Sequence, residues 1–118
     1  MDKKQNQNST ELVATTKENE VGNVIELTRP VEIEGERYEK ITLDFEKLTG
    51  EDIEKAEMQF NAENPQNSVV MVKEMAKGFT AIVAAKAAGV NPAVIRKLPA
   101  PDYAKVTMRT TVFLMGGK

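Results

Sequence analysis

Apolar and polar residues alternate from about Asn23 onward, and within one short stretch the period changes. Ile41, Leu43 and Phe45 alternate with polar residues, as in a strand buried on one side only. After Leu48 the apolar positions become Ile53, Ala56 and Phe60, the spacing of one helix face. Thr49 followed by Asp52 has the form of a capping box, with Asp where Glu or Gln is usual. The stretch therefore predicts a strand, a helix start and the joint between them.

Upstream, Asn23 to Arg29 reads as a strand with Ile25 and Leu27 on one side, and Pro30 marks an edge or a break because it cannot donate to a ladder. Val31–Glu34 and Tyr38–Phe45 read as a hairpin around Gly35. For Val31 and Ile33 to share a face with Ile41, Leu43 and Phe45, the loop must have an odd length, most simply Gly35-Glu36-Arg37.

Downstream, a first helix is expected from Gly50 to Ala62, and Asn64-Pro65-Gln66-Asn67 as a turn. A second helix is expected to start after Ser68 as N-cap and run to Ala88, with the stripe Val72, Met75, Ala76, Phe79, Ile82 and Val83. Gly78 within it suits a close helix crossing, and Gly89 suits a left-handed stop. Asn91-Pro92 opens a short helix that Pro99 and Pro101 end. Asp102 then caps a last helix from Tyr103 to Leu114; its β-branched run, Val106 to Val112, leaves a strand as the alternative.

The resulting fold class is α+β. Residues 1–22, polar and short of apolar anchors, are expected to be a disordered tail. Residues 23–118 are expected to form one domain, with a β-hairpin region (a hairpin or three-stranded sheet) over 23–47 and three to four α-helices bundled over 49–115.

Composition narrows the chemistry. The 118 residues contain no cysteine and no histidine, which removes disulfides, Cys/His zinc sites, thiol nucleophiles and imidazole bases together. No glycine-rich phosphate loop, signal-peptide core or run of ~18 apolar residues occurs. A non-enzyme without metal or cofactor, in the cytosol, is the expectation. The net charge of −2 hides an asymmetry: residues 1–64 hold 16 acids and 8 bases, residues 65–118 hold 2 acids and 8 bases. The basic residues are read either as the wet faces of helices or as a cationic, methionine-bearing surface for a partner.

Asp44, Glu46, Glu51, Asp52, Glu54 and Glu57 scatter over a strand end and a helix start, where the helix dipole favours acids without any chemistry. Ala85, Gly89, Val90, Ile95 and Leu98 have the spacing of a helix-turn-helix, with Arg96 and Lys97 on its second helix. Pro92 and Ala93, however, stand where base-reading side chains are needed, so nucleic-acid binding by a small regulator is only the alternative reading. Met58, Met71, Met108 and Met115 are read first as core. The second reading is an apolar, Met-bearing groove for another helix or a second copy. Val72, Met75, Phe79 and Ile82 are the binding or self-association candidates, with Met71 and Met108 in their place if those residues form the core.

The order of parts, a hairpin leading into "ITLDFEKLTGEDIEKAE", then "SVVMVKEMAKGFTAIVAAKAAG", then "PAVIRKLPAPDYAKVTMRTTVFL", resembles the small tail assembly chaperones of tailed bacteriophages over residues 23–115. The resemblance implies a non-catalytic protein that binds the tape-measure protein and keeps it soluble until tail-tube assembly. It also implies the tape-measure protein and the tail-tube protein as partners, homo-oligomers, and action in the host bacterial cytoplasm with absence from the mature virion. A structural tail subunit is the third reading.

Overall fold

The computed structural model describes residues 23–117, so the expected tail over residues 1–22 lies outside the described residues. Among the described residues the sheet has two antiparallel strands, β1 (Val24–Ile33) and β2 (Glu36–Thr42), rather than three. Pro30 lies inside β1 instead of ending it.

The reason is visible in the register. Near the turn Ile33 faces Glu36, Glu32 faces Arg37 and Val31 faces Tyr38, whereas at the open end Ile25 faces Ile41 and Glu26 faces Lys40. Between these two registers Leu27 to Pro30 stand opposite Glu39 alone. The odd-length loop expected for Val31 and Ile33 is therefore not found: the loop is Glu34-Gly35, and the even-numbered pairing occurs only at the open end, around Ile25 and Ile41. An odd number of extra residues in the bulge converts one register into the other, and Pro30 falls where the ladder is already open.

Glu34 (φ 54°) and Gly35 (φ 84°) both have positive φ, the pattern of a two-residue type I′ turn. Glycine adopts this freely, but glutamate does not. Glu34→Asn, giving the favoured Asn-Gly pair, is expected to raise stability by about 0.5–1 kcal/mol, read as a rise in the urea midpoint at unchanged slope.

The bulge is held by α4 (Ala100–Leu114), the last helix. Asp102 does not cap it as expected. Proline 99 precedes the helix without a side-chain cap, and the wholly buried Asp102 carboxylate reaches across to the hairpin. It accepts the Thr28 backbone N–H at 3.0 and 3.2 Å and the Thr28 hydroxyl at 3.1 Å. The N–H freed from the ladder by the bulge thereby gains a charge-assisted partner. Residues 103–114 are helical throughout, which removes the strand alternative. The hydroxyls of Thr107 and Thr110 bond back to the carbonyls of Tyr103 and Val106, so these β-branched residues sit in the helix with their polar groups satisfied.

The joint between sheet and helices follows the sequence pattern. Phe45–Lys47 make a short 3₁₀ turn, and α1 runs Gly50–Glu63. Thr49 Oγ1 accepts the Asp52 N–H, while the Asp52 carboxylate accepts the Thr49 N–H at 2.9 Å, completing the capping box. The Thr49 backbone N–H holds the Asp52 carboxyl below its ordinary range.

The second helix is shorter than expected. Ser68 is no N-cap: its hydroxyl donates to the Pro65 carbonyl within a 3₁₀ turn, Pro65–Val69. A second 3₁₀ turn follows at Lys73–Met75, and only Lys77–Ala88 form the α-helix, α2. Val70 and Ala76 both pack into the cluster around Phe60 and Phe79. Their packing, with the bonds of Asn67 to the Phe60 carbonyl and of Lys73 to the Val70 carbonyl, prevails over the helical period.

Helix α2 ends at Gly89 (φ 73°), where Val90 N donates to Ala85 O at 3.0 Å and Gly89 N to Lys86 O at 3.3 Å, a Schellman closure. Asn91 caps the short α3 (Pro92–Arg96) by accepting the Ala93 N–H at 2.8 Å.

Helix α2 is the centre of the packing. Phe79 to Ala85 and Ala87 are all buried and apolar but for Thr80, whose hydroxyl donates to the Ala76 and Lys77 carbonyls, as expected of a helix enclosed by others. One cluster joins the hairpin, α2, α3 and α4 through Ile25, Ile41, Leu43, Ile95 and Val106, and Phe45 stacks on Phe113 with ring centres 4.6 Å apart. The other joins α1 to α2 through Ala56, Phe60, Phe79, Ile82 and Val83, with Phe60 edge-on to Phe79 at 5.9 Å. A Cβ on Gly78 would lie 3.1 Å from the Phe60 ring, in accord with the expected close crossing.

Candidate functional site

The segment between α1 and α2, residues 64–76, is a strap fixed by its polar groups. Asn67 Nδ2 donates to the Phe60 carbonyl at 2.8 Å, and Lys73 Nζ donates to the Val70 carbonyl at 2.9 Å while pairing with Glu57 of α1 at 3.4 Å. On its other side Thr111 Oγ1 of α4 donates to the Glu74 carbonyl at 2.8 Å. These bonds, with Val70 and Ala76 turned inward, leave the remaining apolar side chains outside: Val69, Met71, Val72 and Met75 are exposed, Met71 to 94% and Met75 to 67%.

Helix α4 continues this surface. Met108, Val112 and Met115 recur at helical spacing and are all exposed, Met108 to 60%. Thr111, which holds the strap, lies between Met108 and Met115 on the same side of α4, so the strap backbone at Glu74 meets α4 beside this stripe.

The expected core methionines therefore lie on the surface. Met58, Met71, Met75, Met108 and Met115, every methionine among the described residues, are exposed. The six candidate positions separate into two groups. Phe79 and Ile82 are each 1% exposed and belong to the α1–α2 core. Val72, Met75, Met71 and Met108 are exposed, the first three on the strap and Met108 on α4. Val112 was not singled out from sequence, and Met115 was named only with the methionines read as core or groove; their spacing from Met108 was the available signal, masked by the β-branched run around them.

The other candidate patterns resolve structurally. In the helix-turn-helix-like segment, Ala85, Ile95 and Leu98 are buried, and Arg96 makes a two-pronged bond to Glu63 at the end of α1, at 2.8 and 3.2 Å. Its guanidinium locks α3 to α1. Glu51, Asp52, Glu54 and Glu57 lie along α1, and among the described residues no three His, Cys, Asp or Glu side chains gather where a metal ion could be held. No helix among them is long and apolar enough to cross a membrane.

Large apolar side chains left exposed in number are a feature of interaction surfaces. The family described as "Phage tail assembly chaperone proteins, E, or 41 or 14" matches residues 24–115, more than three quarters of the chain. The chain belongs to this family. The chaperone's matched region begins with β1 and ends just past α4, so it takes in the hairpin, all four helices and the strap. Comparison of the chaperone with curated proteins and with solved structures gave no match.

Proposed function

We infer that this tail assembly chaperone acts by binding the phage tape-measure protein and keeping it soluble until tail-tube subunits replace it. The observation that carries this reading is the methionine-rich surface of the strap and α4. Methionine is flexible and polarizable and adapts to many apolar partners, so a row of exposed methionines suits successive, non-identical stretches of a long helical client. The work needed is cover for apolar helix faces, which requires no bond-making group, and the reading assigns no catalytic activity. Tail-tube protein is the second partner in this scheme, self-association of the chaperone is compatible with it, and the site of action is the host bacterial cytoplasm, with the chaperone leaving before the virion is complete.

The test is co-expression of the chaperone with the tape-measure protein of the same phage. The expected outcome is a several-fold rise in soluble tape-measure protein and recovery of the two together. Unchanged solubility with no joint recovery would overturn the reading. The regulator alternative has no observation in its favour: the arginine that would read bases is engaged with Glu63, and α3 spans only Pro92–Arg96.

A further inference from the structure

The chain holds neither cysteine nor tryptophan, and all of its sulfur is in methionine. An oxidant therefore meets thioethers first, with no thiol to compete. Their placement is the reverse of the usual one, in which methionine fills irregular gaps in an apolar interior. Among the described residues neither packed cluster contains a methionine, and none packs against a cluster from its edge; the buried side chains there are Ile, Leu, Val, Phe and Ala. Met58 on α1, Met71 and Met75 on the strap, and Met108 and Met115 along α4 and at its end are all exposed.

We propose that these methionines are a reversible modification site: a peroxide converts them to sulfoxides, which leaves the fold standing and switches off the apolar binding surface. The inference rests on the client-binding reading above and adds a means of regulating that surface. The step is a two-electron oxidation. The thioether sulfur attacks one peroxide oxygen and the O–O bond breaks. That oxygen stays on sulfur, and the other leaves with both protons as water, so sulfur is oxidised and the peroxide reduced. Methionine sulfoxide reductases run the change backwards, one enzyme for each sulfur epimer, with a dithiol as reductant and the oxygen released as water. The effects on fold and on binding separate because of where the sulfurs lie. On the surface a sulfoxide oxygen stays hydrated, and no packed side chain has to move for it. Pressed against an apolar helix, the same oxygen loses its water and finds no donor, which opposes binding. A methionine inside either cluster would have coupled the two effects, since its oxidation disrupts a core.

The test treats the full chain with hydrogen peroxide and then removes the peroxide. Peptide mapping is expected to find one added oxygen on each of Met58, Met71, Met75, Met108 and Met115. The thermal midpoint, followed by circular dichroism, should fall by less than about 4 °C. Tape-measure protein of the same phage, diluted from denaturant, should need at least about tenfold more of the treated chain to stay in solution. Methionine sulfoxide reductases should restore the untreated behaviour. The combined variant Met58→Leu, Met71→Leu, Met75→Leu, Met108→Leu and Met115→Leu should solubilise the client equally well before and after peroxide. A treated chain that works as well as the untreated one overturns the inference and leaves the client-binding reading standing. So does a larger fall in the midpoint, which would make the methionines structural, and so does inactivation of the leucine variant by peroxide, which would place the sensitive group elsewhere. An untreated chain that fails to solubilise the client overturns both.

Discussion

Asp102→Ala is expected to destabilise the folded chaperone by about 3 kcal/mol, more than any surface substitution should. The alanine removes one carboxylate but strands two donors. The Thr28 N–H has no ladder partner, because the β1 bulge faces Glu39 alone, and the Thr28 hydroxyl bonds the same carboxylate. Hydrogen bonds to a charged group are worth about 1.5–3 kcal/mol, and both Thr28 donors share this one buried carboxylate, so water reaching the exposed Thr28 recovers only part of the loss. At about 4–8 °C per kcal/mol for a domain of this size, the thermal midpoint should fall by roughly 12–24 °C. Asp102→Asn, which keeps one acceptor oxygen and the side-chain shape, should lose about half as much. A fall of under about 1 kcal/mol for the alanine variant would show that solvent replaces the carboxylate and that the hairpin is not tethered to α4 through it.

The same contact shows where sequence reading succeeds and where it stops. Thr49 and Asp52, Gly89, and Asn91-Pro92 were legible because each acts on residues within four positions, where spacing alone specifies the geometry. Asp102 was legible as an acid at the start of a helix, but its partner lies 74 positions away, and the bulge that exposes Thr28 leaves no local trace beyond Pro30. The odd-length loop expected from placing Val31 and Ile33 on the face of Ile41 does not form, because an odd-numbered bulge that local spacing does not announce lets the turn be two residues long. The strap was misread for a related reason. Its Val72-Met75-Phe79 spacing is helical, but Val70 and Ala76 are both drawn into the α1–α2 cluster, and tertiary burial overrides a marginal local preference among β-branched residues. With the helix shortened, Phe79 and Ile82 belong to the core, while Met71, Val72 and Met75 are left on the surface.

That division makes the functional surface separable from the fold. The combined variant Met71→Gln, Met75→Gln, Met108→Gln and Met115→Gln should keep the wild-type fold within about 0.5 kcal/mol per site, since each side chain is at least 60% exposed. On the client-binding function proposed above, tape-measure protein co-expressed with this variant should nevertheless fail to stay in solution. Full burial of a methionine side chain is worth about 1.5–3 kcal/mol. If each of the four contributes only about 1 kcal/mol to client contact, their joint loss weakens binding roughly a thousandfold. Glutamine nearly preserves length and flexibility, so the change is chiefly one of polarity. The matching Met→Leu variant, apolar but stiffer, should retain most of the solubilising effect, which separates loss of apolar area from loss of methionine as such. Phe79→Ala supplies the opposite contrast: it should cost about 3–5 kcal/mol through the cavity left beside Phe60 and lose activity only by unfolding. A quadruple glutamine variant that stays folded and still solubilises its client would place the working surface elsewhere, with Met58 of α1 and Val69 of the strap as the remaining large apolar side chains exposed, among the described residues, outside α4 and the strap's 71–75 stretch.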